Sequence, residues 1–261
     1  MNSALRTAAT GMAAQQTRTE VIANNLANVN TTAFKRSRAS FEDLLYQAVR
    51  DVQLVSNQDA STTGAVQVGR GTRLAAISRV NSQGAMEQTG RPLDVGVEGD
   101  GLFAVRNGTG EVLYTRDGSF DVSDQGVIVT KAGLTVEPGI RIPEGMSQVS
   151  ISRAGIVSGI RGQGEIVELG RISLHRFSNP SGLMALGENL YSETPASGRP
   201  LDGYPEDEGF GRLVQGYLEA SNVEIVQEMV EMIAAQRAYE INSKSVKAAD
   251  EMSEVATQMI R

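Results

Sequence analysis

The chain has 261 residues, enough for one or two domains of ordinary size, and its 40% hydrophobic and 21% charged residues exclude wholesale disorder. A net charge of −7 disfavours nucleic acid and anionic membranes as general partners, and no apolar stretch is long enough for membrane insertion. The absence of cysteine excludes disulfides and thiol chemistry, and a single histidine, His175, disfavours a histidine metal site or a Ser-His-Asp triad, so we predict no cofactor, metal or catalytic residue.

The first 30 residues are predicted to form a helix. Residues 1–29 contain no proline and one glycine, Gly11, and their apolar side chains recur with a period near 3.5. The apolar members of this series are Leu5, Ala8, Met12, Ile22, Leu26 and Val29. Polar residues every few positions leave no unbroken apolar core of a cleaved secretory signal, so we do not expect the general secretory route.

The middle of the chain is predicted to be an irregular all-β domain at residues 73–204, flanked by extended connectors at 31–72 and 205–221. Nearly all the glycines and all seven prolines lie in the middle of the chain. Short apolar runs alternate with turn signals such as Asn107-Gly108, a pattern typical of short antiparallel strands.

Residues 222–261 are predicted to form a second, longer helix, because they contain neither glycine nor proline. Ser221 and Glu224 match the S-x-x-E capping box at its start. Arg237 and Ser245 interrupt its apolar stripe, whose members are Val226, Val230, Ile233, Ile241, Ala248, Met252, Val255 and Met259.

The predicted fold class is therefore α+β: N- and C-terminal helices, 1–30 and 222–261, that pair as a coiled coil, with the all-β domain inserted between them. A two-helix hairpin of this size buries only part of its apolar stripe. We expect neighbouring copies of the chain to cover the remainder, because an exposed apolar stripe is an interaction surface.

Two separated motifs near the ends of the chain resemble the flagellar rod and hook protein family. At the N-terminal end, Thr10–Gln16 precedes Ala23–Asn28 and Thr32–Arg36, in the order typical of that family. At the C-terminal end, Ser221–Val223 and Met232–Glu240 are similar to its C-terminal helix. Two long motifs in the right order make the resemblance specific.

Within the family, the distal-rod branch is the most similar. Phe41–Gln47, Tyr114–Phe120 and Gly187–Tyr191 resemble stretches of that branch, so the similarity extends over most of the chain. Ala33 stands where the family usually has glycine. Because alanine disfavours a left-handed backbone, we expect the local turn to differ there.

The resemblance implies a structural subunit that polymerises into a helical tube, the distal part of the rod that crosses the periplasm and transmits torque to the hook. It implies self-association and contacts with proximal-rod and hook subunits, with the P-ring and L-ring proteins around the rod, and with the rod cap. It further implies delivery by the flagellar type III export apparatus without a cleaved signal peptide, to the basal body.

The residues predicted to contact other subunits lie on the two terminal helices. Asn24, Asn25 and Asn28 can be explained either by helix termination near residues 28–30 or by amides that fix helix register or bond between subunits. The complete predicted set is Leu5, Met12, Ile22, Asn24, Asn25, Leu26, Asn28, Val29, Val226, Val230, Ile233, Ile241, Met252 and Val255.

Several stretches mimic catalytic or ligand sites. Gly99-Asp100-Gly101 loosely fits a dinucleotide motif, but a strand pattern follows it, so a tight turn is favoured. Asp121–Ala132 mimics the start of a calcium loop and lacks the closing glutamate, which favours a strand–turn–strand unit. The acidic residues from Asp202 to Glu208 read as a solvated loop, and His175 as a structural residue in a strand.

Two alternatives remain open from the sequence. Within the family, the chain could be a proximal-rod or hook subunit. In a different class, it could be a secreted β-rich hydrolase or carbohydrate-binding module with helical tails, although the absence of tryptophan disfavours a sugar platform.

Overall fold

The computed structural model describes residues 3–50, 66–161 and 165–259. The chain divides into two compact units: a helix–hairpin unit of residues 1–27, 37–79 and 224–261, and a β unit of residues 28–36 and 80–223. Within the described residues, no helix is long and apolar enough to cross a membrane. The polar stretch at 56–63, which contributed to the connector prediction, lies outside the described residues.

The helix–hairpin unit contains both terminal helices and four strands. Helix α1 is Ser3–Ala27 and helix α2 is Ile225–Met259. The strands are β1 Ser37–Asp43, β2 Tyr46–Arg50, β3 Val66–Gly69 and β4 Thr72–Arg79. Strand β1 pairs antiparallel with β4, and β2 with β3, so the segment predicted as an extended connector carries β structure.

The β unit contains sixteen described strands, and the prediction of a β-rich middle is confirmed. Seven of them form one sheet, in the order β16-β17-β8-β7-β11-β10-β9, and β12-β13-β14 form a second. Strand pairs β15–β18, β19–β6 and β20–β5 complete the unit. The bounds are β5 Met86–Gln88, β6 Val95–Glu98, β7 Phe103–Arg106, β8 Val112–Thr115, β9 Phe120–Val122, β10 Ile128–Thr130, β11 Thr135–Val136, β12 Met146–Ile151, β13 Ile156–Arg161, β14 Glu165–Arg171, β15 Leu174–Arg176, β16 Met184–Gly187, β17 Leu190–Ser192, β18 Leu201–Gly203, β19 Arg212–Gln215 and β20 Tyr217–Glu219.

The core of the β unit is aromatic and branched-aliphatic. Phe103 and Phe120 meet edge to face with ring centroids 5.0 Å apart, and Leu174 and Leu213 are fully buried around them. Each such side chain contributes about 1.5–3 kcal/mol by leaving water. Strands β19 and β20, which fall in the predicted 205–221 connector, pair with β6 and β5 and thus belong to this unit.

Helix α2 begins later than the sequence suggested. It starts at Ile225, so Ser221 is not its cap, and the predicted capping box is wrong. The reason lies in Asn222, whose side chain accepts a hydrogen bond from the Arg36 amide at 2.7 Å and donates to the Val80 carbonyl at 2.8 Å. These bonds hold the chain before α2 in a non-helical path.

Ala33 adopts a left-handed backbone with φ 58°, the conformation that alanine was expected to avoid. The residue is buried, and its amide donates to the Glu219 carbonyl at 2.7 Å. A left-handed conformation costs an alanine about 1–2 kcal/mol. The folded state of this protein therefore bears that conformational cost at Ala33.

Ala33→Gly is therefore expected to raise the free energy of unfolding by up to about 1 kcal/mol, because relief of strain exceeds the added entropy of the unfolded chain. Denaturant unfolding followed by circular dichroism measures the change. Ala185→Gly, at an exposed strand position with ordinary φ, is the control and should destabilise. A loss of stability in Ala33→Gly equal to that of the control would contradict the prediction.

Candidate interaction surface of the terminal helices

Helices α1 and α2 pack side by side in opposite directions. A Cβ placed on Gly11 would lie 3.0 Å from Nδ2 of Asn242. Arg18 Nη2 lies 3.2 Å from Glu231 Oε2, and Asn25 Nδ2 lies 3.0 Å from Glu228 Oε2. Because residue numbers rise along α1 while those of their partners fall along α2, the helices are antiparallel.

The face of α2 that meets α1 is built from small and polar side chains. Its residues recur every seven positions: Glu228, Ala235, Asn242 and Ala249, of which all but the half-buried Asn242 are buried. Gly11 faces Asn242, and the buried Ala235 and Ala249, one heptad to either side of Asn242, allow the two backbones to approach closely. These small residues bury little apolar area, so the pairing of α1 with α2 gains far less free energy from burial than a seam of leucines would.

The apolar stripe of α2 faces the other way. We name as the outward stripe Val226, Val230, Ile233, Ile241, Met252 and Val255, all between 49% and 76% exposed. At 100° per residue Val226, Val230, Ile233 and Val255 lie roughly opposite Ala235 and Ala249, and Ile241 and Met252 lie to one side of the helix. The prediction that α1 shares part of this stripe is wrong, because the close-packing residues occupy the other face.

The predicted α1 residues differ in their exposure. Ile22 is buried in the pairing face, whereas Leu5, Met12, Leu26 and Val29 are half-buried. The structure therefore leaves the outward stripe of α2 as the largest exposed apolar part of the predicted set.

The three asparagines have different roles. Asn25 is buried, accepts from the Ser37 amide at 2.8 Å, and donates to the Ser37 carbonyl and to Glu228. It thereby fixes the register of α1 against β1 and α2 within one chain. Asn28 follows the helix and accepts hydrogen bonds from Thr31, as expected for helix termination, and Asn24 is exposed.

The β unit contains a buried ion network that no sequence pattern predicted. Glu219 is 2% exposed, and its carboxylate accepts hydrogen bonds from Lys35 Nζ, from Arg116 Nε at 2.6 Å and from the Gly84 amide at 2.9 Å. Burial alone would raise the pKa of Glu219. The charge of Arg116 and the hydrogen bond from Lys35 outweigh burial and hold the pKa below its ordinary value.

Each nitrogen of the Arg116 guanidinium donates a hydrogen bond to an acceptor in the β unit. Its guanidinium also donates to the carbonyls of Val97 at 2.8 Å and Gly99 at 2.6 Å, and to that of Gly101. The network joins the segment that follows α1 to the segment that precedes α2. The only sequence signal was the run Tyr114–Phe120, which contains Arg116 but does not identify its partners.

The stretches that mimic ligand sites are structural elements. Gly99 and Gly101 have left-handed φ values of 102° and 144° in the turn between β6 and β7, and a strand follows, as predicted. Residues Asp121–Ala132 form the predicted strand–turn–strand with β9 and β10. Within the described residues, no group of three His, Asp or Glu side chains is placed to hold a metal.

His175 has the predicted structural setting. It is buried in β15, with Nδ1 2.7 Å from Asp202 Oδ1 and its ring edge to face with Tyr114 at 5.6 Å. Ser173 Oγ lies 3.4 Å from Nε2, which outlines a Ser-His-Asp arrangement. The Asp202 side chain is 74% exposed, so it lacks the buried setting in which such a carboxylate orients a catalytic imidazole.

Three stretches of the chain match known family models. Residues 5–35, which contain most of α1, match a model described as "Flagella basal body rod protein". Residues 96–159 match "Flagellar hook protein FlgE/F/G D1 domain", and residues 214–259 match "Flagellar basal body rod FlgEFG protein C-terminal". Both helices that form the candidate surface thus fall in matched stretches.

Full-length relatives agree with these matches. The chain is 48% identical over 264 residues to "Flagellar basal-body rod protein FlgG" of Borreliella burgdorferi, with 100% of each chain covered. It is 46% identical over 259 residues to the FlgG protein of Caulobacter vibrioides, with 98% of each covered. Identity to the FlgF protein of the same organism is 35%, over 92% of this chain and 91% of the relative.

Proposed function

The chain belongs to the flagellar basal-body rod protein family, and on this premise we propose that it is a structural subunit of the flagellar rod, in its distal part. The observation that carries the proposal is the full-length identity to proteins named FlgG, which exceeds the identity to FlgF. The architecture supports a mechanical role, because the apolar stripe of α2 has no cover within the described chain.

Assembly is driven by burial of the outward stripe in other copies. Each valine or isoleucine that becomes covered contributes about 1.5–3 kcal/mol, and the contribution repeats along the polymer. The seven-residue spacing of Glu228, Ala235, Asn242 and Ala249 supports a further point, that α1 and α2 wind around each other as an antiparallel coiled coil. A tube of such pairs is stiff without covalent links.

The location and remaining partners follow from the family resemblance. The tube crosses the periplasm as part of the basal body and transmits torque to the hook. It contacts proximal-rod and hook subunits at its ends and the P-ring and L-ring proteins around its side. Subunits reach it through the flagellar type III export apparatus and are added with the help of the rod cap.

Labelled electron microscopy tests the assignment. A peptide tag inserted in the exposed turn at residues 107–110, between β7 and β8, is expected to mark the distal rod of purified basal bodies. The control is that the tagged chain restores motility to cells lacking their own copy. Label on the proximal rod or the hook would replace the proposal with that assignment, and motile cells without any copy would refute a rod role.

A further inference from the structure

Helix α1 carries an exposed face of small side chains. We name as the alanine face its seven residues that point away from the pairing with α2 and repeat at helical spacing. Every one of them is exposed, and they are Arg6, Ala9, Ala13, Gln16, Glu20, Ala23 and Ala27. Alanines on one helix form a shallow groove into which bulky side chains of another helix can pack.

The outward stripe of α2 has the complementary shape and carries charges at its centre. Arg237, Lys244 and Glu251 follow Val230 at seven-residue intervals along the stripe. All three are exposed, and in the part of the chain that the structure describes none forms an ion pair within 4.0 Å. Branched apolar residues flank them. Glu240, Lys247 and Glu254 continue the heptad position of Val226 and Ile233 on the same face, so the ridge also carries charges along one side.

The charge spacing of the two faces matches in one direction only. Arg6 and Glu20 lie two heptads apart on α1, about 21 Å, and Arg237 and Glu251 lie two heptads apart on α2. In antiparallel alignment, Glu20 meets Arg237 at the same register in which Arg6 meets Glu251. In parallel alignment at that register, arginine meets arginine and glutamate meets glutamate.

A helical polymer places the alanine face of one copy and the outward stripe of its neighbour in the antiparallel alignment that this charge pattern requires. Within one chain α1 runs antiparallel to α2. Copies related by a helical repeat point the same way, so α1 of one copy is antiparallel to α2 of its neighbour. The register also places Val230 opposite Ala27 and Ile241 opposite Gln16, so bulky residues face smaller or more flexible ones.

We propose that in the assembled polymer the outward stripe of one copy docks on the alanine face of the next copy, with Arg237 paired to Glu20 and Glu251 paired to Arg6. The inference rests on the proposed function and names the partner surface that this function requires. Pairing of two outward stripes in register would instead place Arg237 beside Arg237 and Lys244 beside Lys244, which repel.

Charge reversal tests the pairing in cells that express the chain as their sole copy, with hook-bearing basal bodies counted by electron microscopy. Arg237→Glu and Glu20→Arg alone are each expected to reduce the count about tenfold, because each brings like charges together. The double variant Glu20→Arg/Arg237→Glu keeps the native composition and is expected to restore at least half of the native count. Asp250→Lys, at an exposed position of α2 outside the stripe, is the control and should leave the count unchanged.

Other contacts of the outward stripe predict different patterns of rescue in the charge-reversal experiment. Rescue of Arg237→Glu by Glu251→Arg, with no rescue by Glu20→Arg, would overturn the inference in favour of a staggered contact between two outward stripes. Native-level counts for both single variants would also overturn it. If the tagged native chain were absent from the rod, the proposed function itself would fail, whereas a correctly placed native chain without rescue refutes the pairing alone.

Discussion

Replacement of Val230 by aspartate is expected to abolish assembly of the polymer while leaving the isolated chain folded. Val230 is 61% exposed, so a carboxylate at this position remains hydrated in the single chain. In an assembled neighbour contact the same carboxylate would be buried without a partner, which costs several kcal/mol per copy. Sedimentation of polymer, counts of hook-bearing basal bodies and swimming motility measure the loss.

A matched control separates this effect from a general effect of negative charge on α2. Gln236→Asp adds a carboxylate at an exposed position of the same helix outside the outward stripe and should assemble. Circular dichroism of both variants should show native helix and strand content. Motile cells with normal rods that carry Val230→Asp would show that the outward stripe is not a subunit contact.

The periodicity of the sequence was sufficient to predict both terminal helices, but not the face through which they pair. Apolar spacing favours the side with the largest hydrophobic residues, and on α2 that side is the outward stripe. The helices instead meet where Gly11, Ala235 and Ala249 allow close backbone approach. Small residues carry little hydrophobic signal, so a pattern of apolarity does not reveal a contact that depends on backbone proximity.

The pairing of β1 with β4 in the predicted connector was not predicted from the sequence for a related reason. Strand β1 contains one aromatic residue, Phe41, among polar and charged ones, and its burial alternates only between half-buried and exposed. A strand pair with so little buried surface resembles an extended connector in composition. Its identity depends on the pairing of Ser37–Asp43 with Thr72–Arg79, which a local pattern does not show.

The sequence does not predict the ion network, for a different reason. Glu219 lies 103 positions from Arg116 and 184 positions from Lys35, and no spacing rule relates residues so far apart. A buried carboxylate, a guanidinium and an ammonium group come together only because the β unit closes around them. The same separation explains their importance, since they tie distant segments of the unit to one another.

Glu219→Gln is expected to lower the free energy of unfolding of the β unit by about 3–5 kcal/mol, because it leaves Arg116 and Lys35 buried without their carboxylate. Urea unfolding followed by circular dichroism measures the change. Glu98→Gln is the control: its ion pair with Arg212 is of similar length, 2.7 Å, but exposed to solvent, so a much smaller loss than that of Glu219→Gln is expected. Equal losses in the two variants would refute a special role for the buried network.

The network also predicts the direction of the pH dependence. The pKa of Glu219 in the folded chain lies below its ordinary value of 4.5, because the charge of Arg116 and the hydrogen bond from Lys35 outweigh the opposing effect of burial. The unfolded chain therefore binds a proton first as pH falls, so this carboxylate stabilises the fold fully above about pH 4.5 and loses that effect as pH falls through the folded pKa. Glu219→Gln should reduce the slope of stability against pH in this acidic window and leave the slope near neutral pH unchanged. Because glutamine carries no titrating proton, an unchanged acidic slope in the variant would show that other carboxylates control acid unfolding.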